Sequence, residues 1–471
     1  MIITHLSAEC YPIAKVGGLA DVLGALPKYQ NELGATSQVV MPFYKNEYTQ
    51  SHCFEAVYND TILLGETDYD FRILTLKDHE NDLGFKIFFV DVPELLYTDF
   101  VYTSDDTERF LAFQIAALDW IAQSETIPDV IHCHDHHTGL IPFMMQESFR
   151  YSMLRKVAVA FTIHNAQYQG WFSHDLVGLI PEFKFSHVGL LDWNHCINPM
   201  ASAIKCAWVV TTVSPNYMDE LELNANGLES LLSDEHAKCI GILNGIDTKV
   251  WNTETDPLII ENYTQDTIYE GKFKNKQWLC NKFNLDVERP LIAFIGRLVE
   301  QKGADLFPKI FSESLFGNDI SILLLGSGEK HTENDLINLK EKFPDKYNAY
   351  IGYDEKLSHI IYAGADFLLM PSRVEPCGLN QMYALRYGTI PIVNSVGGLK
   401  DTVEDLYDGG FGICHNGVTV SEVCEAIERA TEFYDSEIFK QTRVEVMSID
   451  HSWHASAESY LNVYNSLNPF L

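Results

Sequence analysis

The 471-residue chain carries 66 Asp and Glu against 33 Lys and Arg, a formal net charge of −33, with 46% hydrophobic and 21% charged residues. That balance belongs to a folded protein rather than a disordered one, and the length suits two or three domains of about 100–200 residues each. The strong negative charge excludes a protein that grips nucleic acid by broad phosphate neutralisation, and equally a basic membrane-surface protein.

No stretch approaches the run of about 18 apolar residues that would cross a bilayer. The opening Met1-Ile2-Ile3-Thr4-His5-Leu6-Ser7 has no basic segment and reads as a first strand, not a signal peptide. Ten cysteines lie far apart without any CxxC pair, so reduced thiols in a cytoplasmic protein are expected.

Along the chain, short apolar runs predict strands at 2–7, 38–41, 86–90, 130–133, 157–163 and 209–213, then at 291–295, 320–325, 348–351, 367–370, 390–393 and 412–414. Most are continuous rather than alternating, as in parallel strands covered on both faces. Helix-period segments separate them; in 108–121, Phe110, Phe113, Ala117 and Trp120 share a face. The βαβα pattern runs twice, which predicts an α/β protein of two doubly wound parallel sheets facing across an interdomain cleft. The polar, strand-poor stretch 252–276 marks the junction, giving domains at 1–250 and 251–450. The amphipathic segment after 450 reads as a helix packing back on the first domain, so 451–471 is set apart.

Two glycine loops and two cationic positions carry the chemistry. Lys15-Val16-Gly17-Gly18-Leu19-Ala20-Asp21 follows the first strand and opens a helix, so bare backbone N–H groups and a lysine charge stand where an anion is favoured. Gly296-Arg297-Leu298-Val299-Glu300-Gln301-Lys302-Gly303 follows a second-half strand and sets two cations five positions apart, able to converge on a diphosphate. Glu375-Pro376-Cys377-Gly378-Leu379 puts a carboxylate and backbone donors before a helix, a combination suited to sugar hydroxyls. Gly397-Gly398-Leu399 repeats the first glycine turn.

With Thr162-Ile163-His164-Asn165, Thr212-Val213-Ser214-Pro215, Asn244-Gly245-Ile246-Asp247 and Pro371-Ser372-Arg373, these blocks stand in one order and resemble bacterial glycogen synthase and plant starch synthase over nearly the whole chain. The resemblance implies a GT-B glycosyltransferase with two facing Rossmann-like domains. It would move glucose from a nucleotide diphosphate, usually ADP-glucose, to the nonreducing 4-OH of an α-1,4-glucan such as glycogen or a maltooligosaccharide, with retention. By motif position, Lys15, Gly17, Gly18 and Asp21 would lie beside the donor, while Arg297 and Lys302 would hold its diphosphate. His164 and Glu375 would face the transferred glucose, helped by backbone donors at Cys377, Gly378 and Leu379, while Gln301, Asn165, Gly397 and Gly398 would also bind substrate. Tyr353 would contact the nucleobase, and Asp135 and Asn244 would complete the lining. The nucleotide sugar is a substrate, and no separate cofactor or metal is implied.

Other signals compete. His132-Cys133-His134-Asp135-His136-His137 has zinc-type ligands with His132 and His134 on one strand face, but no outlying ligand pair accompanies them. Asp68-Tyr69-Asp70 has a metal-binding DxD form and reads as a solvated turn. Cys377 has no identifiable base beside it. Segments 93–103 and 223–228 depart from the family pattern on the acceptor side. The alternatives are therefore a glucan- or nucleotide-binding protein with little transfer activity, and a related enzyme using UDP-glucose or another acceptor.

Overall fold

The structure is a computed structural model that describes residues 1–77, 82–434 and 436–467. The chain packs as two units, Met1–Asn244 with Trp453–Leu471, and Gly245–Ser452. The first crossing thus falls at Asn244/Gly245 rather than at 250/251. Its cause is local: the Ile246 N–H donates to His451 O at 2.8 Å, tying the chain just past Asn244 to the second unit. The strand-poor stretch 252–276 lies wholly within that unit. There Asp256 accepts from Tyr387 Oη at 2.6 Å and His359 Nδ1 at 2.7 Å, while Trp251 stacks on His359.

The first unit contains β1 (Ile2–Leu6), β2 (Thr36–Pro42), β3 (Phe54–Leu64), β4 (Thr67–Leu76), β5 (Lys86–Asp91), β6 (Val130–His134), β7 (Ala158–Ile163), a small ribbon of β8 (Asp192–Trp193) and β9 (Cys196–Ile197), β10 (Val209–Thr212) and β11 (Cys239–Gly241). Its nine-stranded sheet has the order β11-β10-β7-β6-β1-β2-β5-β4-β3. Pairings from β11 through β5 are parallel, and β3 and β4 close one edge as an antiparallel hairpin. All six predicted first-half strands are present. The hairpin is an addition to them, since the polar residues on its exposed face give it the composition of a connection. Asp68 and Asp70 therefore sit within β4, not in a turn, with Asp70 accepting from Thr61 Oγ1 across the ladder.

The helix Thr107–Gln123 does not bury one face only: residues 109–119 are all buried, because the sheet strands β2, β3 and β5 pack against it together with the turns at 136–138 and 149–154. Helix Trp453–Leu467 places Trp453, Ala457, Tyr460 and Tyr464 on one face and packs against helix Gly18–Glu32. Burying large side chains of this kind is worth about 1.5–3 kcal/mol apiece.

The second unit holds β12 (Leu291–Leu298), β13 (Ser321–Gly328), β14 (Tyr347–Ile351), β15 (Phe367–Met370), β16 (Ile390–Asn394) and β17 (Ile413–His415). They form one parallel sheet of order β14-β13-β12-β15-β16-β17. Strand β12 shows why its sequence is a continuous apolar run. Ile292 and Phe294 enter the core on one face and Leu291 and Ala293 the core on the other, so none of residues 291–294 is left for solvent. Both units are doubly wound α/β, as the alternation predicts. No described helix is long and apolar enough to cross a membrane.

Candidate active site

In the first unit, β1, β6 and β7 are neighbours in a parallel sheet, so their carboxyl ends emerge side by side, where open α/β sheets place ligands. Just past β1, the buried Glu9 organises the first glycine loop. Its Oε2 accepts the N–H groups of Val16 at 2.6 Å and Gly17 at 2.9 Å, and its Oε1 accepts from Tyr102 Oη at 2.5 Å. The helix that follows starts at Gly18, with Gly17 as an extended N-cap lacking any side-chain cap. A Cβ built on Gly17 or Gly18 would meet no atom within 4 Å of it. Neither packing nor strain requires glycine there, so what the pair provides is bare backbone beside open space, where a ligand can approach closely. Lys15 Nζ pairs with Asp21 Oδ1 at 2.6 Å, with both side chains partly exposed.

Strand β6 is followed by Asp135, held at φ +57°, a region that non-glycine residues seldom occupy and that often accompanies function. This bend lets Asp135 Oδ1 accept from the backbone N–H of His164 at 2.8 Å and of Asn165 at 3.4 Å, both just past β7. Burial pushes the Asp135 carboxyl up to about 7 despite those donors, and lowers His164 to about 3. At neutral pH His164 is thus an uncharged hydrogen-bonding ring. Asn165 turns its Oδ1 to the N–H of Gln167, and Asn244 is buried with its Oδ1 unpartnered among the described residues.

In the second unit, Arg297 lies near the end of β12, exposed and without an ion pair among the described residues. Lys302 Nζ meets Glu375 Oε2 at 2.5 Å, and the same oxygen accepts from Ser372 Oγ at 2.9 Å. An ammonium has three N–H groups, so two remain for an anion. Gln301 contributes its carbonyl, which accepts from the Arg373 N–H at 2.8 Å, and Arg373 is itself locked on Asp305. The Cys377-Gly378-Leu379 backbone leads into helix Asn380–Arg386, fastened to β12 by Asn380 Nδ2 on Ile295 O at 2.8 Å. Cys377 is buried, and Tyr353 is 86% exposed.

The second glycine pair does not repeat the first. A Cβ on Gly397 would fall 2.0 Å from Glu375 O, and one on Gly398 would fall 2.1 Å from Cys377 O. Glycine here lets the helix after β16 press its backbone against the loop that carries Glu375.

The histidine block turns inward. His132, His134 and His5, from adjacent strands, bring ring nitrogens within 4.8 Å of one another. His5 is the third member that the sequence did not reveal. Yet both nitrogens of each ring already make hydrogen bonds: His5 with Gln30 and His134, His134 with His5 and His164, His132 with Thr162 and Tyr464. A metal would have to displace them.

Sequence reasoning also missed Glu9, Tyr102 and Ser372. Glu9 could have been found as the first carboxylate past a parallel strand, and Ser372 stands inside a motif already singled out. The departing segments are well anchored: Arg109 clamps 95–101 through Leu95 O, Thr98 Oγ1 and Phe100 O, and Gln169 holds 225–226 through two carbonyls.

Residues 2–234 match the family described as starch synthase catalytic domain, and residues 276–434 match glycosyl transferases group 1. Glycogen synthase of Flavobacterium johnsoniae is 50% identical over 99% of each chain, and that of Anoxybacillus flavithermus 37% identical over 99% of this chain and 98% of its own. The catalytic domain of starch synthase IV from Arabidopsis thaliana, solved with ADP and acarbose, superposes with a TM-score of 0.86 at 32% identity, covering 99% of each chain. A sucrose-phosphate synthase from Thermosynechococcus elongatus shares the fold, with a TM-score of 0.62 at 16% identity over 99% of this chain and 98% of its own.

Proposed function

Because the chain belongs to the glycogen and starch synthase family of GT-B glycosyltransferases, we propose that it transfers glucose from ADP-glucose to the nonreducing 4-OH of an α-1,4-glucan, with retention. The observation that carries this reading is the loop pair of the second unit. There Lys302 is held by Glu375 with two N–H groups to spare, and Arg297 stands without a counter-ion among the described residues. Cleavage of the anomeric bond puts negative charge on the departing diphosphate. Once bound substrate excludes water from the site, each of the two cations stabilises it by about 2–4 kcal/mol. They take the part that a divalent metal plays elsewhere, so no resident metal enters the reaction as we read it.

The Cys377, Gly378 and Leu379 backbone and the Glu375 carboxylate orient the glucose, with Gln301, Gly397 and Gly398 shaping that loop. Tyr353 supports the nucleobase. From the first unit, the bare Gly17–Gly18 backbone, Lys15 and Asp21 serve the donor, while neutral His164, Asn165, Asp135 and Asn244 offer hydrogen bonds to sugar hydroxyls. We read the transfer as proceeding without a glycosidase-type carboxylate nucleophile, the departing phosphate deprotonating the acceptor hydroxyl on the same face. Ten cysteines without a disulfide suit a reducing cytoplasm.

The test is a donor comparison. The purified protein, incubated with glycogen and with maltooligosaccharides, should build labelled α-1,4-glucan from ADP-[14C]glucose and far less from UDP-[14C]glucose. Folded protein that incorporates label from neither donor would refute the reading.

A further inference from the structure

His164 is the outer end of a row of imidazoles. Its Nε2 lies 3.0 Å from His134 Nδ1, His134 Nε2 lies 3.0 Å from His5 Nδ1, and His5 Nε2 lies 2.8 Å from Gln30 Oε1. His5, His134 and Gln30 are fully buried, and only His164 reaches partial exposure. The direction of the row is set at its inner end. Gln30 Oε1 also accepts from Ser37 Oγ at 2.7 Å, and an amide oxygen can only accept. With the Gln30 amide in this orientation, the proton facing it sits on His5 Nε2.

Burial keeps all three rings uncharged, so each carries one proton. His5 Nδ1 is then an acceptor, which calls for a proton on His134 Nε2. That leaves His134 Nδ1 as the acceptor for His164 Nε2–H. Which nitrogen of a histidine is free is decided by the bond the other one makes, and here the decision passes through two rings from a glutamine on helix Gly18–Glu32.

We propose that His5 and His134 are positioning residues that lock His164 in its Nε2–H tautomer and so present a bare Nδ1 as a hydrogen-bond acceptor. The consequence for transfer rests on the function proposed above: a hydroxyl of the bound sugar donates to His164 Nδ1, and the row fixes the ring's orientation as well as its protonation.

Full-length protein carrying ring-15N histidine is measured at pH 7 by long-range 1H–15N correlation, with the His164 signals assigned by their loss in His164→Gln. The wild type should show the proton on Nε2 and a bare Nδ1. In His134→Phe the constraint disappears and both tautomers should be populated. In His134→Asn, whose Oδ1 can stand where Nδ1 stood, Nε2–H should persist. Kinetically, kcat should fall tenfold or more in His134→Phe with donor KM changed less than threefold, and His134→Asn should recover most of the loss.

A wild-type spectrum with Nδ1–H, an even mixture or a doubly protonated ring would overturn the proposal. So would an unchanged tautomer in folded His134→Phe. Should that variant not fold, the wild-type spectrum decides. A wild type that transfers no glucose would defeat the proposed function while leaving the tautomer assignment intact, so the two failures are separable.

Discussion

Gly17 and Gly398 each belong to a glycine pair that opens a helix, yet a methyl group should affect them in opposite ways. Nothing lies within 4 Å of a Cβ at Gly17, so Gly17→Ala should shift Tm by no more than about 2 °C, as for an innocuous surface change. Its donor turnover should nevertheless fall by about tenfold or more, because the methyl occupies ligand space. At Gly398 the same change drives a Cβ to 2.1 Å from Cys377 O and should cost about 1–3 kcal/mol by overpacking. Thermal melts and assays on both variants check the contrast, and equal loss of stability would contradict it. The motifs that hold these glycines were plain in the sequence. Their differing jobs were not, because the second depends on a carbonyl in a separate loop that folding brings up against it. Glu9 escaped for the same reason: it acts on a loop that only the fold returns to it.

Among the elements, helix Trp453–Leu467 belongs to the first unit through one polar contact as well as its apolar face. Tyr464 Oη lies 2.6 Å from His132 Nδ1 in a fully buried setting. Tyr464→Phe keeps the packing but leaves that nitrogen without a partner, at a cost of about 1–3 kcal/mol. Urea unfolding should show the loss as a lower midpoint with an unchanged slope, and an unshifted midpoint would remove the bond as a source of stability. The twelve apolar strands were legible because parallel strands buried on both faces are largely apolar along their length. The β3–β4 hairpin was not, since an edge hairpin with one exposed face carries as much polar sequence as a loop.

For the whole molecule, the first unit buries His5, His132, His134 and His137 and partly buries His136 and His164, and burial suppresses protonation of all six. Folded values lie below the unfolded 6.5, so the unfolded chain takes up protons first as pH falls. Stability from these rings is complete above about pH 6.5 and is lost as pH falls below it, each contributing up to about 1.4 kcal/mol per pH unit. Asp135 works the other way: raised from 3.8 to about 7, it costs stability as pH rises through that interval. The six histidines outnumber the raised carboxyls Asp91, Asp119 and Asp135, so calorimetry should show Tm falling from pH 7 to pH 5, and Asp135→Asn should steepen that fall. A flat profile would contradict the burial of neutral histidines. Composition showed the acidity of the chain but not this property, which comes from strands whose histidines point into the core.

The proposed chemistry stands on Arg297 and Lys302 as the groups that stabilise the departing diphosphate, and kcat on ADP-glucose with saturating glycogen reads that stabilisation. Arg297→Ala and Lys302→Ala should each lower kcat by about 10²–10³, the scale of removing one charge-stabilising donor. Wild-type turnover in both folded variants would contradict it.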